Sequence, residues 1–251
     1  MNINDIDKIY FLHLSDRYDR EQWMNNQIQQ IGFPKDKVNI WWTCRRNISN
    51  KVSNYIPQLN HNNYISSRIN TNPGIGGATF NCTFEHYSII RTSYERGFKN
   101  ILIFEDDVKF LVDLQIFNKF IELLPENYEI CKFHNTIFDN QFEVTPDSTN
   151  YKEIPTLNTK IENPYSCIDC TDGKDYSSTC AYMLNRNGMK KFIELYNEDF
   201  CIADQVFLKI NKVYVCNYQL VTTQDWKCKP QEYLWSDIWK LNTDQRFNQF
   251  K

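Results

Sequence analysis

The chain of 251 residues has no apolar run approaching the roughly 18 that cross a bilayer, and its mean hydropathy is -0.59; a membrane-spanning helix is excluded. Neither sign of charge dominates: 28 basic against 31 acidic residues leave a net charge of -3. That balance gives no electrostatic reason to expect nucleic acid. The opening MNINDIDKIYFLHLSDRYDR carries acids and lacks a basic-then-apolar stretch, so the expectation is a cytoplasmic chain without an export signal. Glycine is scarce, at 7 residues, while asparagine and isoleucine abound. In so Asn-rich a chain the sequon matches at Asn47 and Asn81 are expected by chance. The cysteines number nine, yet Cys167-x-x-Cys170 has no second pair at zinc-ribbon distance, and Cys180 and Cys201 have no histidine nearby. They read as reduced, mostly buried thiols. Internal repeats and low-complexity linkers are also missing.

What is present is the composition of a folded enzyme-sized domain, with 41% hydrophobic and 15% aromatic residues, too apolar for disorder. A chain of this length buries roughly 70–75% of its unfolded surface, so residues 1–251 are expected to form one domain. Strands are predicted at residues 8–14, 38–43, 100–104, 128–134 and 178–185. Helices are predicted at 19–31, 78–96, 111–124 and 187–196, with Pro73 to Gly77 as the turn opening the second. Residues 45–72 read as irregular and 139–159 as hairpin or loop. Near the C-terminus, Leu234, Trp235, Ile238, Trp239 and Leu241 fall at helical spacing, which suits core packing or a dimer contact. Strands alternating with helices argue for an open α/β sheet with parallel members, in which ligands collect at the carboxyl ends of strands. That rule points to Ser15 through Arg20 and to Glu105-Asp106-Asp107.

Three consecutive carboxylates after the buried run NILIF repel one another unless a cation neutralises them. In an extended segment Glu105 and Asp107 point the same way, and two convergent oxygens suit Mg²⁺ or Mn²⁺. Arg17 and Arg20 after the first strand are suited to clamp a diphosphate, and Asp16 or Asp19 to read a ribose or a base N–H. Together these features suggest a nucleoside diphosphate bound with a metal.

The opening IYFLHLSDRYDR resembles the strand-plus-arginine opening of family-25 glycosyltransferases, in which Asn-Leu precedes Arg-x-x-Arg. The block CTFEHYSIIRTSYERGFKNILIFEDDV, from Cys82 to Val108, resembles that family's Cys-x-x-Ser-His helix, spacer and Glu-Asp-Asp. STCAYMLNRNGMKKFIELY resembles its Ala-Tyr strand and Gly-containing helix, and Asp204 in CIADQVF falls where the family places an Asp. The resemblance spans residues 7–224. Departures are His13 for Asn, Glu85 for Ser, and Asn81 for Gly.

The resemblance implies a GT-A fold, a Rossmann-like sandwich on a mostly parallel sheet. It implies inverting sugar transfer from a nucleotide sugar, with UDP expected, to a glycan or protein-linked hydroxyl, as in lipopolysaccharide biosynthesis. The implied metal ligands are Asp107 first and Glu105 second. Asp106, Arg17, Asp19 and Arg20 are the nucleotide contacts. Asp204 is the expected base, with a helix-capping role as its alternative; His86 is the second candidate and His134 a third. Two other classes stay open: a metal-dependent phosphohydrolase or nucleotidyltransferase using the same acids, and a non-catalytic carbohydrate-binding descendant.

Overall fold

The computed structural model describes residues 1–15, 17–43, 73–134, 136–138, 152, 154–168, 175–198, 203–210 and 212–224. Asp16, Cys170, the 45–72 stretch, most of the 139–159 hairpin and the C-terminal Leu234 to Leu241 pattern lie outside them. The central sheet has seven strands in the order β2-β1-β3-β9-β5-β10-β7. They are β1 (Lys8–Leu14), β2 (Val38–Thr43), β3 (Asn100–Glu105), β5 (Ile130–Lys132), β7 (Tyr165–Ile168), β9 (Ala181–Asn185) and β10 (Val213–Cys216). Two short ribbons pair β4 (Val108–Phe110) with β11 (Val221–Thr223), and β6 (Thr136–Phe138) with β8 (Asp175–Ser177). The helices are α1 (Tyr18–Ile31), α2 (Pro73–Glu95), α3 (Leu114–Glu122), α4 (Arg186–Glu198) and α5 (Ala203–Leu208).

Sheet direction is mixed. Strands β2, β1, β3, β5 and β10 run one way, while β9 and β7 run the other. The mostly parallel expectation holds for five of the seven strands; β7 and β9 run against it, and β9 lies between β3 and β5. Parallel neighbours need a long crossover, usually helical, and among the described residues no helix separates β5 from β9. An antiparallel entry meets no such demand.

Period-two alternation divides the buried strands between two cores. Tyr10, Leu12, Ile101, Ile103, Tyr182 and Leu184 pack on one face, against residues of α2, α4 and α5. Ile9, Phe11, Leu102, Phe104, Ala181 and Met183 pack on the other, against α1 and α3. The result is an α/β/α sandwich. Each fully buried Phe or Ile contributes about 1.5–3 kcal/mol, which is why these strands read as continuous apolar runs. Helix ends follow their local chemistry. Gly32 closes α1 at φ 75, a left-handed conformation glycine adopts at little steric cost, and Asp113 caps α3 by accepting from the Ile116 N–H at 2.8 Å. The expected turn at residues 73–77 is instead the first turns of α2, which begins at Pro73; proline is favoured at the first helical position, where its missing N–H costs nothing.

Candidate active site

Strands β1 and β3 are parallel neighbours, with Leu12 in register with Glu105. The two ends singled out from the sequence therefore meet at one edge of the sheet, beside the start of α1. Alternation along β3 places Glu105 on the side of Ile101 and Ile103, where α2 packs, and Asp106 on the opposite side, toward α1. The chain leaves the strand at Asp106 and turns toward β4. Asp107 thus turns to the α1 side with Asp106 rather than sharing a face with Glu105, which corrects the period-two expectation for that pair.

On the α1 side, the Arg20 guanidinium lies between two carboxylates. Its Nη1 is 2.8 Å from Asp106 Oδ1 and 3.1 Å from Asp107 Oδ2. Asp106 Oδ2 also meets His13 Nδ1 at 2.9 Å and accepts from the Leu14 N–H at 3.2 Å. Burial alone would raise the Asp106 pKa, but the bonds from His13 and Arg20 hold it below the usual carboxylate range. The departure at His13 is conservative in function, because an imidazole N–H supplies the donor an Asn amide would supply. Arg17 precedes the first turn of α1 and pairs with the exposed Asp19 at 2.8 and 2.7 Å; that contact holds the Asp19 pKa at about 2.

On the α2 side, Thr179 donates its hydroxyl to Glu105 Oε1, and His86 Nε2 stands 3.3 Å from the same oxygen. His86 has no exposed side-chain surface, and its Nδ1 lies 2.7 Å from the Tyr182 hydroxyl. Cys82, one turn before His86 on α2, brings its sulfur within 4.8 Å of the His86 and Glu105 ligand atoms. Burial works against the Glu105 carboxylate, yet His86 and Thr179 outweigh it and leave the pKa lowered. Glu85, a second departure, is buried and accepts from the Trp41 indole N–H at 3.0 Å, tying α2 to β2.

His134 lies just past β5, its Nδ1 2.7 Å from Ser178 Oγ. Burial, reinforced by Lys132, lowers its pKa to about 4, so the ring is neutral near pH 7. Ser178 and Thr179 together bridge His134 and Glu105, and Ser178 adopts φ 112, a conformation rare outside glycine. Asp204 lies in the first turn of α5, whose leading Ala203 N–H is 3.2 Å from Thr83 Oγ1 on α2. Phe207 of the same helix packs on Tyr182 at 4.6 Å.

The structure thus gathers Arg20, Glu105, Asp106, Asp107 and His86 at one sheet edge, with Arg17 and Asp19 paired at the adjoining start of α1. Thr179, Ser178 and Tyr182 are the polar partners that sequence reasoning did not assign. Their signal is the small polar pair directly before the β9 apolar run. Cys131, Cys180 and Cys216 are buried and pushed to high pKa by that burial, as expected of inert thiols; Cys167 is exposed and Cys82 half-buried. No helix among the described residues is long and apolar enough to cross a membrane.

No curated protein matches the chain. Among solved structures it is similar to A197 from STIV, at 10% identity over 84% of this chain and 82% of that one, with a TM-score of 0.39. The family of lipopolysaccharide-biosynthesis proteins described as glycosyltransferase family 25 matches residues 6–207. With the match running from β1 through the acidic strand end to α5, the chain belongs to glycosyltransferase family 25.

Proposed function

We propose that this chain transfers a sugar from a nucleoside-diphosphate sugar, UDP-linked by family resemblance, to a hydroxyl of a glycan or protein-linked acceptor, with inversion. The observation that carries the reading is the meeting of Glu105, Asp106 and Asp107 with Arg20 where β1 and β3 end together. The neighbouring strand β2 presents Trp42, in register with His13, nearly at right angles to its ring and 53% exposed, an aromatic side chain available for stacking a base or sugar.

The three acids differ in access. The side chains of Glu105 and Asp107 are 26% and 11% exposed, against 6% for Asp106. Asp106 is the acid most enclosed, clamping β1 and α1 through both oxygens. Asp107, on the α1 side beside Arg20, is the residue that would hold Mg²⁺ or Mn²⁺, whose preference is for hard carboxylate oxygens; Glu105, the second ligand expected, faces His86 on the α2 side. Such a cation supplies neutralisation of the charge that develops on the departing diphosphate. Arg20 and Arg17 stand where a diphosphate would reach the start of α1, and guanidinium groups bind it through paired N–H donors.

In the reaction, the acceptor oxygen attacks the anomeric carbon while the bond to the diphosphate oxygen breaks on the opposite face. A base takes the acceptor proton. Asp204 is assigned that role by family position, and its helix abuts Tyr182, the partner of His86. His86, enclosed between Tyr182 and Glu105, orients the carboxylate. His13 and Glu85, two of the three departures, hold polar contacts to Asp106 and Trp41, which fit a sheet edge kept in order. Calorimetry of UDP with the intact chain tests the reading. Mn²⁺-dependent binding that Asp107→Ala weakens at least tenfold is expected; metal-independent binding, equal in both proteins, would contradict it.

A further inference from the structure

We propose that Cys82, His86 and Glu105 form a second cation site, one that takes Zn²⁺ rather than the hard cation of a nucleotide sugar. This proposal goes beyond the donor reading and stands without it. The sulfur, imidazole nitrogen and carboxylate oxygen lie within 4.8 Å of one another. Ligands at about 2.0–2.3 Å from one tetrahedral zinc ion sit roughly 3.3–3.8 Å apart, so side-chain adjustment closes the set. Cys82 and His86 are four residues apart on α2 and project from one helix face.

The surrounding contacts are those a ligand set needs. Tyr182 holds His86 Nδ1 at 2.7 Å, which fixes the ring and directs Nε2 at the carboxylate. Nε2 is buried and makes no aligned hydrogen bond among the described residues, although Glu105 Oε1 is only 3.3 Å away. In the metal-free protein the Nε2 proton faces the carboxylate, which is how His86 favours the charged Glu105; a cation at the shared point takes that proton's place. Thr179 anchors Glu105 Oε1 from the other side. Softness decides the occupant: a thiolate and an imidazole favour zinc, whereas Mg²⁺ and Mn²⁺ prefer oxygen. Three protein ligands leave a fourth position for water or substrate. Binding deprotonates the Cys82 thiol and releases that proton to solvent.

Alkylation of the intact wild-type chain tests the site directly. After chelator treatment, iodoacetamide labelling of Cys82 is followed by peptide mass mapping with Zn²⁺, with Mg²⁺ or with no metal. Zinc is expected to protect Cys82 at least tenfold and Mg²⁺ not at all; equal labelling in all three overturns the site. In parallel, Co²⁺ titration should give a thiolate-to-cobalt charge-transfer band, lost in Cys82→Ala and retained in Asp107→Asn. Thr179→Val should weaken zinc roughly 10–100-fold, the usual effect of removing a ligand's outer partner. A band that survives in a folded Cys82→Ala protein would place the thiolate ligand elsewhere and contradict the proposal. Because Asp107 serves only the donor cation and Cys82 only the zinc, failure of one reading leaves the other measurable.

Discussion

Asp106 uses both carboxylate oxygens inside the protein, on Arg20, His13 and the Leu14 backbone. Its removal leaves the Arg20 charge deprived of its nearest buried partner. Asp106→Ala is expected to destabilise the fold by about 3–5 kcal/mol, measured by urea unfolding, with Asp106→Asn milder because it keeps an acceptor. Asp107 is predicted to behave oppositely. Asp107→Ala should keep its circular dichroism spectrum while metal-dependent turnover drops by on the order of 10²–10³-fold or more. The acidic run and the two arginines were legible from their place after apolar strands. Their pairing was not, because alternation holds only while the chain stays extended, and it turns at Asp106. The His86–Glu105–Thr179 cluster was hidden for a different reason: it joins α2, β3 and the residues before β9, positions 86, 105 and 179, through contacts no local pattern encodes.

Strands with long apolar or aromatic runs, β1, β2 and β3, were readable to within a residue, as was the Gly32 stop of α1. Shorter elements were not. β4, β6, β8 and β11 have three residues each, too few to display a period. The α5 helix has six residues and owes its place to tertiary contacts with α2. The α4 helix carries its own test. A methyl added at Gly188 would lie 2.0 Å from the Glu129 carbonyl oxygen, so the helix can approach the start of β5 only with glycine there. Gly188→Ala is expected to cost at least about 1–3 kcal/mol, seen as a lower midpoint in urea. An unchanged midpoint would mean that α4 does not pack this closely.

Across the whole molecule, the buried ionisable groups of the sheet edge set the acid limb of stability. His134 titrates near 4 when folded against 6.5 ordinarily, so the unfolded chain takes its proton first. Stability should fall as pH drops from 6.5 to about 4, then lose no more through that residue. Glu105 and Asp106 are held below their ordinary values of 4.5 and 3.8; their contribution is complete above those values and is lost as pH falls further. Urea midpoints taken across this range should show both stages, with His134→Gln flattening only the upper one. The sandwich, and the strand ends that bring the acids and Arg20 together, were legible from the strand–helix alternation. The reversed β9 was not, since direction depends on how the chain returns to the sheet rather than on the strand's own residues.

A transferase that takes its sugar from a nucleotide donor also hydrolyses that donor slowly, and this hydrolysis is measurable without knowing the acceptor. A panel of UDP- and GDP-sugars should be assayed for nucleoside diphosphate release with Mn²⁺ and with EDTA. Release of intact nucleoside diphosphate from one sugar nucleotide, abolished by EDTA, is the predicted result. Cleavage within the diphosphate would make the protein a phosphohydrolase. Absence of both release and donor binding across the panel would contradict the donor reading altogether.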